Sequence, residues 1–383
     1  MDKRVAVVKC PDYSRAKEGV HKALAELGGI EAFVKAGDRV VIKPNYVARK
    51  KPIDAATTHP AILRAVSEEV TSVGAKVVIA ESPGGPYNRA ALLAVYEGCG
   101  ANEAVGDTAA ELNFDTEFDT VEFPKGQIMR SFPIIKPVCD ADVVISIPKL
   151  KTHAMTSYTG AVKNLFGTIP GTHKAELHFR LNEREAFCSM LVDLCECVKP
   201  DLSIMDAVWG MEGNGPTAGE NRHIGLVMAS ANPHVLDLAA CRLIDYRPDE
   251  VPTLNNAISR GLCPQTADDL DILGEDITPL IMKDFKKPES HFDLLKLVPV
   301  PAAVRAWITE HLSSRPEMDY DKCIGCGECA RCCPPQAIDI KNRRAIIRRD
   351  ACIKCFCCQE LCPKQAVYIK RSLLNRAMLK FLK

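Results

Sequence analysis

Ten of the chain's 18 cysteines fall between residues 323 and 362, and their spacing has a chemical consequence. Cys323, Cys326, Cys329 and Cys333 precede Pro334 as C-x2-C-x2-C-x3-C-P. Twenty-nine positions on, Cys352, Cys355, Cys358 and Cys362 precede Pro363 in the same pattern. Two intervening residues let a tight loop turn three thiolates toward one iron–sulfur cube, and the fourth cysteine of each run is carried to the other cube. The spacing therefore assigns Cys323, Cys326, Cys329 and Cys362 to one [4Fe-4S] cluster and Cys352, Cys355, Cys358 and Cys333 to a second. The repeat outlasts the ligands, since Gln336-Ala337-Ile338-Asp339-Ile340 maps onto Gln365-Ala366-Val367-Tyr368-Ile369. That marks an internal duplication and a pseudo-two-fold module. Zinc knuckles or disulfides would not explain a four-cysteine run repeated with both prolines. Cys332 and Cys357 are surplus to the eight ligands.

A second constellation is cationic. Lys43-Pro44-Asn45, Lys149, Lys151, His153, Lys163-Asn164 and Asp206 follow apolar runs that read as strands, and in open α/β sheets ligands bind beyond the carboxyl ends of strands. Lysines at several strand ends imply one cleft suited to carboxylate or phosphate groups, to which a helix beginning near Thr159 would add its N-terminal amides. Each lysine alone is equally well a solvated surface residue; their recurrence at strand ends supports the joint reading. Lys43, Asn45, Lys149, Lys151, Lys163 and Asn164 are the expected ligand-binding residues, with His153 or Asp206 as proton donor. His153, His173 and His178 match no metal spacing. No G-x-G-x-x-G follows the first strand, which argues against a nicotinamide site.

The elements that must position these residues alternate. Val5 to Lys9 reads as a buried strand, Arg15 to Leu27 as a helix ended by Gly28-Gly29, Arg39 to Lys43 as a strand, Pro60 to Gly74 as a helix and Lys76 to Ala80 as a strand. Glu111 to Val138 reads as an antiparallel excursion with a turn at Pro124-Lys125-Gly126. The pattern resumes with a strand from Asp142 to Ile147, a helix from Asn182 with Asn182 and Glu185 as a capping pair, strands at Leu202 to Met205 and Ile224 to Ala229, and a helix from Pro233 to about Ile244. Strands and helices at crossover lengths imply an α/β domain with a mostly parallel sheet. It is followed by a small ferredoxin-like α+β domain. The expected boundaries are 1–285 for the α/β domain, with two subdomains as the alternative division, 286–316 for a proline-punctuated linker, 317–370 for the cluster domain, and 371–383 for a basic amphipathic helix.

Lys and Arg total 49 and so do Asp and Glu, a balance that argues against nucleic acid as the main partner. The balance is uneven: from Glu317 onward there are 14 Lys and Arg against 7 Asp and Glu. This excess offsets thiolate-ligated clusters and suits an acidic redox partner protein. The eight cysteines outside the runs lack ligand spacing and read as small buried hydrophobes in a reducing compartment, so a cytoplasmic protein is expected. No run approaches the length of a membrane span, leaving peripheral contact through the C-terminal helix as the membrane reading.

The runs Val41-Ile42-Lys43-Pro44-Asn45, Pro148-Lys149-Leu150-Lys151-Thr152-His153, Thr159-Gly160-Ala161-Val162-Lys163-Asn164-Leu165-Phe166-Gly167 and Gly210-Met211-Glu212-Gly213-Asn214-Gly215-Pro216 occur in an order that resembles the domain of unknown function 362 family. Its members are often fused to a C-terminal ferredoxin module. The resemblance covers roughly residues 5 to 300 and the cluster motifs. One departure is Asn232-Pro233-His234-Val235-Leu236-Asp237, where Asp-Pro followed by small apolar residues is the family's pattern. The resemblance implies an architecture and iron–sulfur cofactors, and no established reaction.

Three functions fit these residues. In the first, two [4Fe-4S] clusters relay electrons to a small anionic substrate or cofactor in the α/β domain, which would make the chain a ferredoxin-linked oxidoreductase. In the second, the chain is a non-enzymatic adaptor that delivers electrons to another protein. The third is a ligand-binding or transferase domain whose clusters are structural or sense redox state.

Overall fold

The computed structural model describes residues 1–288 and 314–370. The expected linker falls mostly outside the described residues, and the expected C-terminal helix wholly so.

Sixteen strands are described. In chain order they are β1 (Arg4–Lys9), β2 (Arg39–Pro44), β3 (Lys76–Ile79), β4 (Glu111–Leu112), β5 (Phe118–Glu122), β6 (Ser131–Ile135), β7 (Val143–Ile147), β8 (Lys149–His153), β9 (Ser157–Thr159), β10 (Leu202–Glu212), β11 (Glu220–Ser230), β12 (Asp271–Gly274), β13 (Arg315–Met318), β14 (Ile338–Lys341), β15 (Arg344–Ile347) and β16 (Val367–Lys370). The central sheet runs β12-β1-β11-β10-β7-β2-β3-β4, with β8 paired to β10 and β9 to β8. Pairings among β10, β7, β2, β3 and β4 are parallel, and β11 is antiparallel to both β1 and β10.

Strand alternation divides the interior into two layers. Ala6, Val8, Ile204 and Val208 face the helices Ala16–Glu26, Pro60–Ser72 and Arg89–Cys99. Val5, Val7, Met205 and Ala207 face the helix Pro233–Leu243 on the other side. Local chemistry sets the helix starts: His59 accepts from the Ala61 amide ahead of Pro60, Asn88 from Ala91, and Asn232 from His234 and Val235. The helix Arg89–Cys99, ended by a left-handed Gly100, was not anticipated by the periodicity reading.

Three expectations change. The helix after residue 182 starts at Arg184, with Glu183 as an N-cap that makes no side-chain bond. Its first turn is anchored instead by Arg184 Nε donating to the Met155 carbonyl at 2.8 Å, a tertiary contact that outweighs the local Asn182/Glu185 pair. Within the antiparallel excursion, β5 pairs with β6 as foreseen, while β4 adds in parallel to β3 as the sheet edge. β10 runs to Glu212 rather than stopping near Met205, because the alternation continues past a bulge between Ala207 and Trp209.

The cluster module pairs β13 with β16 and β14 with β15, both antiparallel, around two short helices, Glu328–Arg331 and Cys357–Glu360. It docks on the α/β domain: Thr217 Oγ1 donates to the Glu360 carbonyl at 2.9 Å, Gln365 Nε2 to the Thr217 carbonyl at 3.1 Å, and Gln359 Nε2 to the Asn214 carbonyl at 3.3 Å. Leu361 packs so closely on Gly84 that a Cβ there would lie 2.5 Å from its methyl.

Candidate functional site

The chain winds from β2 outward through β3 and β4, then returns to place β7 on the other side of β2. Crevices form at such switch points, beyond the carboxyl ends of the strands. Here β2 delivers Lys43 and Asn45, β3 delivers Glu81 and Ser82, and β7 leads through Pro148 into β8. Lys149, Lys151 and His153 alternate along β8 and so share one face of it.

Lys43 is 1% exposed, and its Nζ donates to Glu81 Oε2 at 2.7 Å, to the Pro44 carbonyl at 2.8 Å and to Asn164 Oδ1 at 3.1 Å. The same Glu81 oxygen accepts from the Tyr46 amide at 3.0 Å. Asn164 also accepts from Asn45 Nδ2 at 2.9 Å and donates to Ser146 Oγ at 2.9 Å. Asn45 in turn accepts from Lys151 Nζ at 2.7 Å, and Lys151 further donates to the Ala56 carbonyl at 2.5 Å. Gly167 is required at this network, since a Cβ there would stand 1.9 Å from Glu81 Oε1 and 2.6 Å from Lys43 Nζ.

These residues wall a cavity of about 520 Å³ between the α/β domain and the cluster module. Lys43, Asn45, Lys151, His153, Lys163 and Asn164 all line it, and the module contributes Arg331, Glu360 and Cys362 together with the surplus Cys332 and Cys357. Lys43 is matched by Glu81 and Arg331 by Glu328. Lys151, Lys163 and Lys174 form no ion pair among the described residues. The Lys163 ammonium makes a cation–π contact, 5.4 Å from the Phe166 ring centroid. Lys174 Nζ donates to Ser82 Oγ at 2.9 Å and to the Ile169 carbonyl at 2.5 Å, both neutral acceptors. Burial lowers Lys151 and Lys174 each to about 7, and lowers Lys43 despite Glu81 beside it. His153 Nδ1 accepts from the amides of Met155 at 3.0 Å and Thr156 at 3.3 Å. The neutral ring therefore carries its proton on Nε2, which lies 4.0 Å from Glu360 Oε2.

Lys149 and Asp206 stand apart from this cavity. Asp206 lies inside β10 opposite Lys149, and the two form a pair at 2.9 Å with both side chains 0% exposed. Tyr13 OH donates to Asp206 at 3.2 Å and the His59 amide at 2.9 Å, while the Tyr13 and His59 rings stack at 3.5 Å. The expected anion-binding helix is four residues long, Ala161–Asn164, and its first amides are already taken. Ala161 and Val162 donate to Asp237 at 2.6 and 3.0 Å, in a site where Tyr158 OH donates to the same carboxylate at 3.1 Å. Burial raises Asp237 to about 6 against these bonds. Glu81, Lys174 and Glu360 were not among the expected site residues.

The thiols of the module sort into two groups of four. Cys323, Cys326, Cys329 and Cys362 line one small void, and Cys333, Cys352, Cys355 and Cys358 line another, which Cys357 also lines. The Ala366 amide donates to Cys362 Sγ and the Ala337 amide to Cys333 Sγ, each at 3.2 Å, equivalent bonds in the two halves. Apolar walls and amide-to-sulfur bonds fit thiolate-ligated iron–sulfur clusters. Cys332 lines neither void, while Cys357 lines the second beside the four expected ligands.

Residues 315–338 match a 4Fe-4S binding domain, so the chain is an iron–sulfur protein. A thylakoid-associated protein of Synechocystis sp. is 32% identical over 300 residues, which cover 76% of this chain and 89% of that protein. Among solved structures, the lactate racemase apoprotein of Thermoanaerobacterium thermosaccharolyticum is 12% identical with a TM-score of 0.39, covering 63% of this chain and 56% of that one. A Thermotoga maritima protein is 14% identical with a TM-score of 0.32, covering 53% and 52%. The chain thus spans little more than half the length of either solved structure. No helix among the described residues is long and apolar enough to cross a membrane. Residues 40–242 match the domain of unknown function (DUF362), and with the extended likeness to the Synechocystis protein the chain belongs to that family.

Proposed function

We propose that this is an electron-transfer protein in which two [4Fe-4S] clusters feed a small, multiply charged anionic molecule held in the cavity between the domains. The observation that carries the reading is the composition of that one cavity: Lys163 with no anionic partner, Lys151 and Lys174 with neutral ones, and the cluster-ligand cysteine Cys362 in the same wall. Ammonium groups that are buried, as Lys151 is, or partly buried, as Lys163 and Lys174 are, and that lack counter-charges among the described residues favour an anion that supplies them. About 520 Å³ suits a compact metabolite, within the range of small-molecule sites.

When bound, each cluster supplies one electron at a time. The chain's own residues bind and orient the anion through Lys163, with Lys151 and Lys174 adding positive charge to the same walls. The docked module closes the cavity over Leu361. His153 presents its Nε2–H to the cavity as proton donor, oriented by the two amides on Nδ1 and by Glu360. Lys151 is the second group able to release a proton near neutrality. The cysteines of the module would hold the clusters, which would supply the two electrons of the net reduction and would draw them in turn from a one-electron donor protein, while His153 and Lys151 supply the two protons. Lys149 and Asp206 tie β8 to β10 and so position Lys151 and His153.

The test is anaerobic. Protein reduced with dithionite and freed of excess reductant is mixed with small di- and tricarboxylates and organic phosphates bearing a reducible double bond or carbonyl, and the visible absorbance of the clusters is followed. Saturable reoxidation by one class, slowed in Lys163→Gln, supports the reading. Intact clusters that no member reoxidises, or reoxidation indifferent to Lys163, overturns it.

A further inference from the structure

One ligand of the Cys323 group faces outward. Cys326 is exposed, and beside it Ile324 is 52% and Tyr320 45% exposed. The β14–β15 hairpin presses against this loop: a Cβ on Gly325 would lie 2.3 Å from the Arg343 carbonyl, and Ile340 reaches toward Gly327. The hairpin brings Lys341, Arg343 and Arg344 to the rim, all exposed, with the Arg344 guanidinium 5.6 Å from the Tyr320 ring centroid. None of these three forms a salt bridge among the described residues, whereas Arg348 and Arg349, at the hairpin's far end, pair with Asp339 and Glu317.

We propose that this face is the docking surface for a small acidic one-electron carrier protein, which would deliver electrons at Cys326. An apolar centre flanked on its hairpin side by unpaired cations, with Asp321 the exposed acid beside Tyr320, is the layout of a transient, electrostatically steered interface. The acidic partner is chosen by charge complementarity, and a redox partner rather than a lipid surface by the exposed cysteine ligand at the centre. Another ligand of the same group, Cys362, lines the inter-domain cavity, so donor and substrate reach that group through different cysteines. The inference rests on the electron-transfer reading, but its test reads binding and needs no substrate.

The full chain, prepared without oxygen and with its iron in place, is titrated calorimetrically with an acidic flavodoxin and, separately, with an acidic plant-type ferredoxin. At least one carrier is expected to bind, with affinity falling roughly tenfold or more between low and physiological salt. Arg343→Glu/Arg344→Glu should weaken binding by about tenfold or more and slow cluster reduction by the carrier, while iron content and the electron paramagnetic resonance of dithionite-reduced protein stay unchanged. Arg348→Glu/Arg349→Glu should have a much smaller effect. The inference is overturned if neither carrier binds, if binding is insensitive to salt or to Arg343 and Arg344, if the far-end pair matters as much, or if the arginines instead govern co-sedimentation with phosphatidylglycerol vesicles.

Discussion

Glu360 of the cluster module sets its Oε2 4.0 Å from Nε2 of His153 in the α/β domain, and both line one cavity. The site is therefore complete only when the two parts are docked. His153→Gln is expected to cut turnover of a cavity substrate about a hundredfold, the usual range for losing a general acid. Glu360→Ala, which removes a carboxylate 4.0 Å from Nε2 while the two amides on Nδ1 still hold the ring, should cost about tenfold and leave iron content intact. Equal losses in the two variants would argue that His153 serves packing rather than proton transfer.

Gly167 tests the Lys43–Glu81 pair. A methyl at this position cannot coexist with Glu81 Oε1 at 1.9 Å, so Gly167→Ala should push the carboxylate off Lys43 and leave a buried charge uncompensated. A loss of about 3 kcal/mol in denaturant unfolding of the α/β domain is expected, with anion binding abolished. Unchanged stability would mean that Glu81 relaxes freely and that the pair is not a fixed part of the site.

Anion binding should fall as pH rises. Lys151 and Lys174, lowered by burial to about 7, are ammonium below that pH and neutral above it. The charge that attracts an anion is present at pH 6 and largely gone by pH 8, and a bound anion shifts the midpoint upward. Calorimetry with pyrophosphate in buffers of different ionisation enthalpy should show protons taken up on binding near pH 7. Lys174→Met should reduce both the uptake and the affinity. Binding that strengthens with pH would contradict these assignments.

Ligand and surplus cysteines should separate in metal analysis. Cys362→Ser or Cys333→Ser, each removing one member of a four-thiol group, should lower iron from about eight toward about four atoms per chain. Cys332→Ser and Cys357→Ser should keep the full complement. A full complement after Cys362→Ser would reassign the groups.

The iron–sulfur domain was legible in the sequence because its chemistry is local: a tight loop imposes its own cysteine spacing. So were the β2, β3 and β7 strand ends, and with them Lys43, Asn45, Lys151, His153, Lys163 and Asn164, all of which line the cavity. Asp206 and Lys149 were misplaced because residues 206–212 and 149–153 read as loops after strands and are themselves strands, with Asp206 held inside β10. Glu81 had a signal: β2 and β3 are parallel neighbours, and a lysine buried at one strand end calls for a carboxylate at the next. Lys174 had none, since in His173–Arg180 it reads as one more polar position of an amphipathic helix. Glu360 comes into play only through docking, which no local pattern encodes.

The most direct test of the central claim is native mass spectrometry of protein purified without oxygen and mixed with the low-molecular-mass fraction of a cell extract. The account predicts the mass of two [4Fe-4S] clusters together with an anionic small-molecule adduct that disappears in Lys163→Gln/Lys174→Met while the cluster mass remains. Clusters with no adduct, an adduct the variant keeps, or zinc in place of iron and sulfide would contradict it.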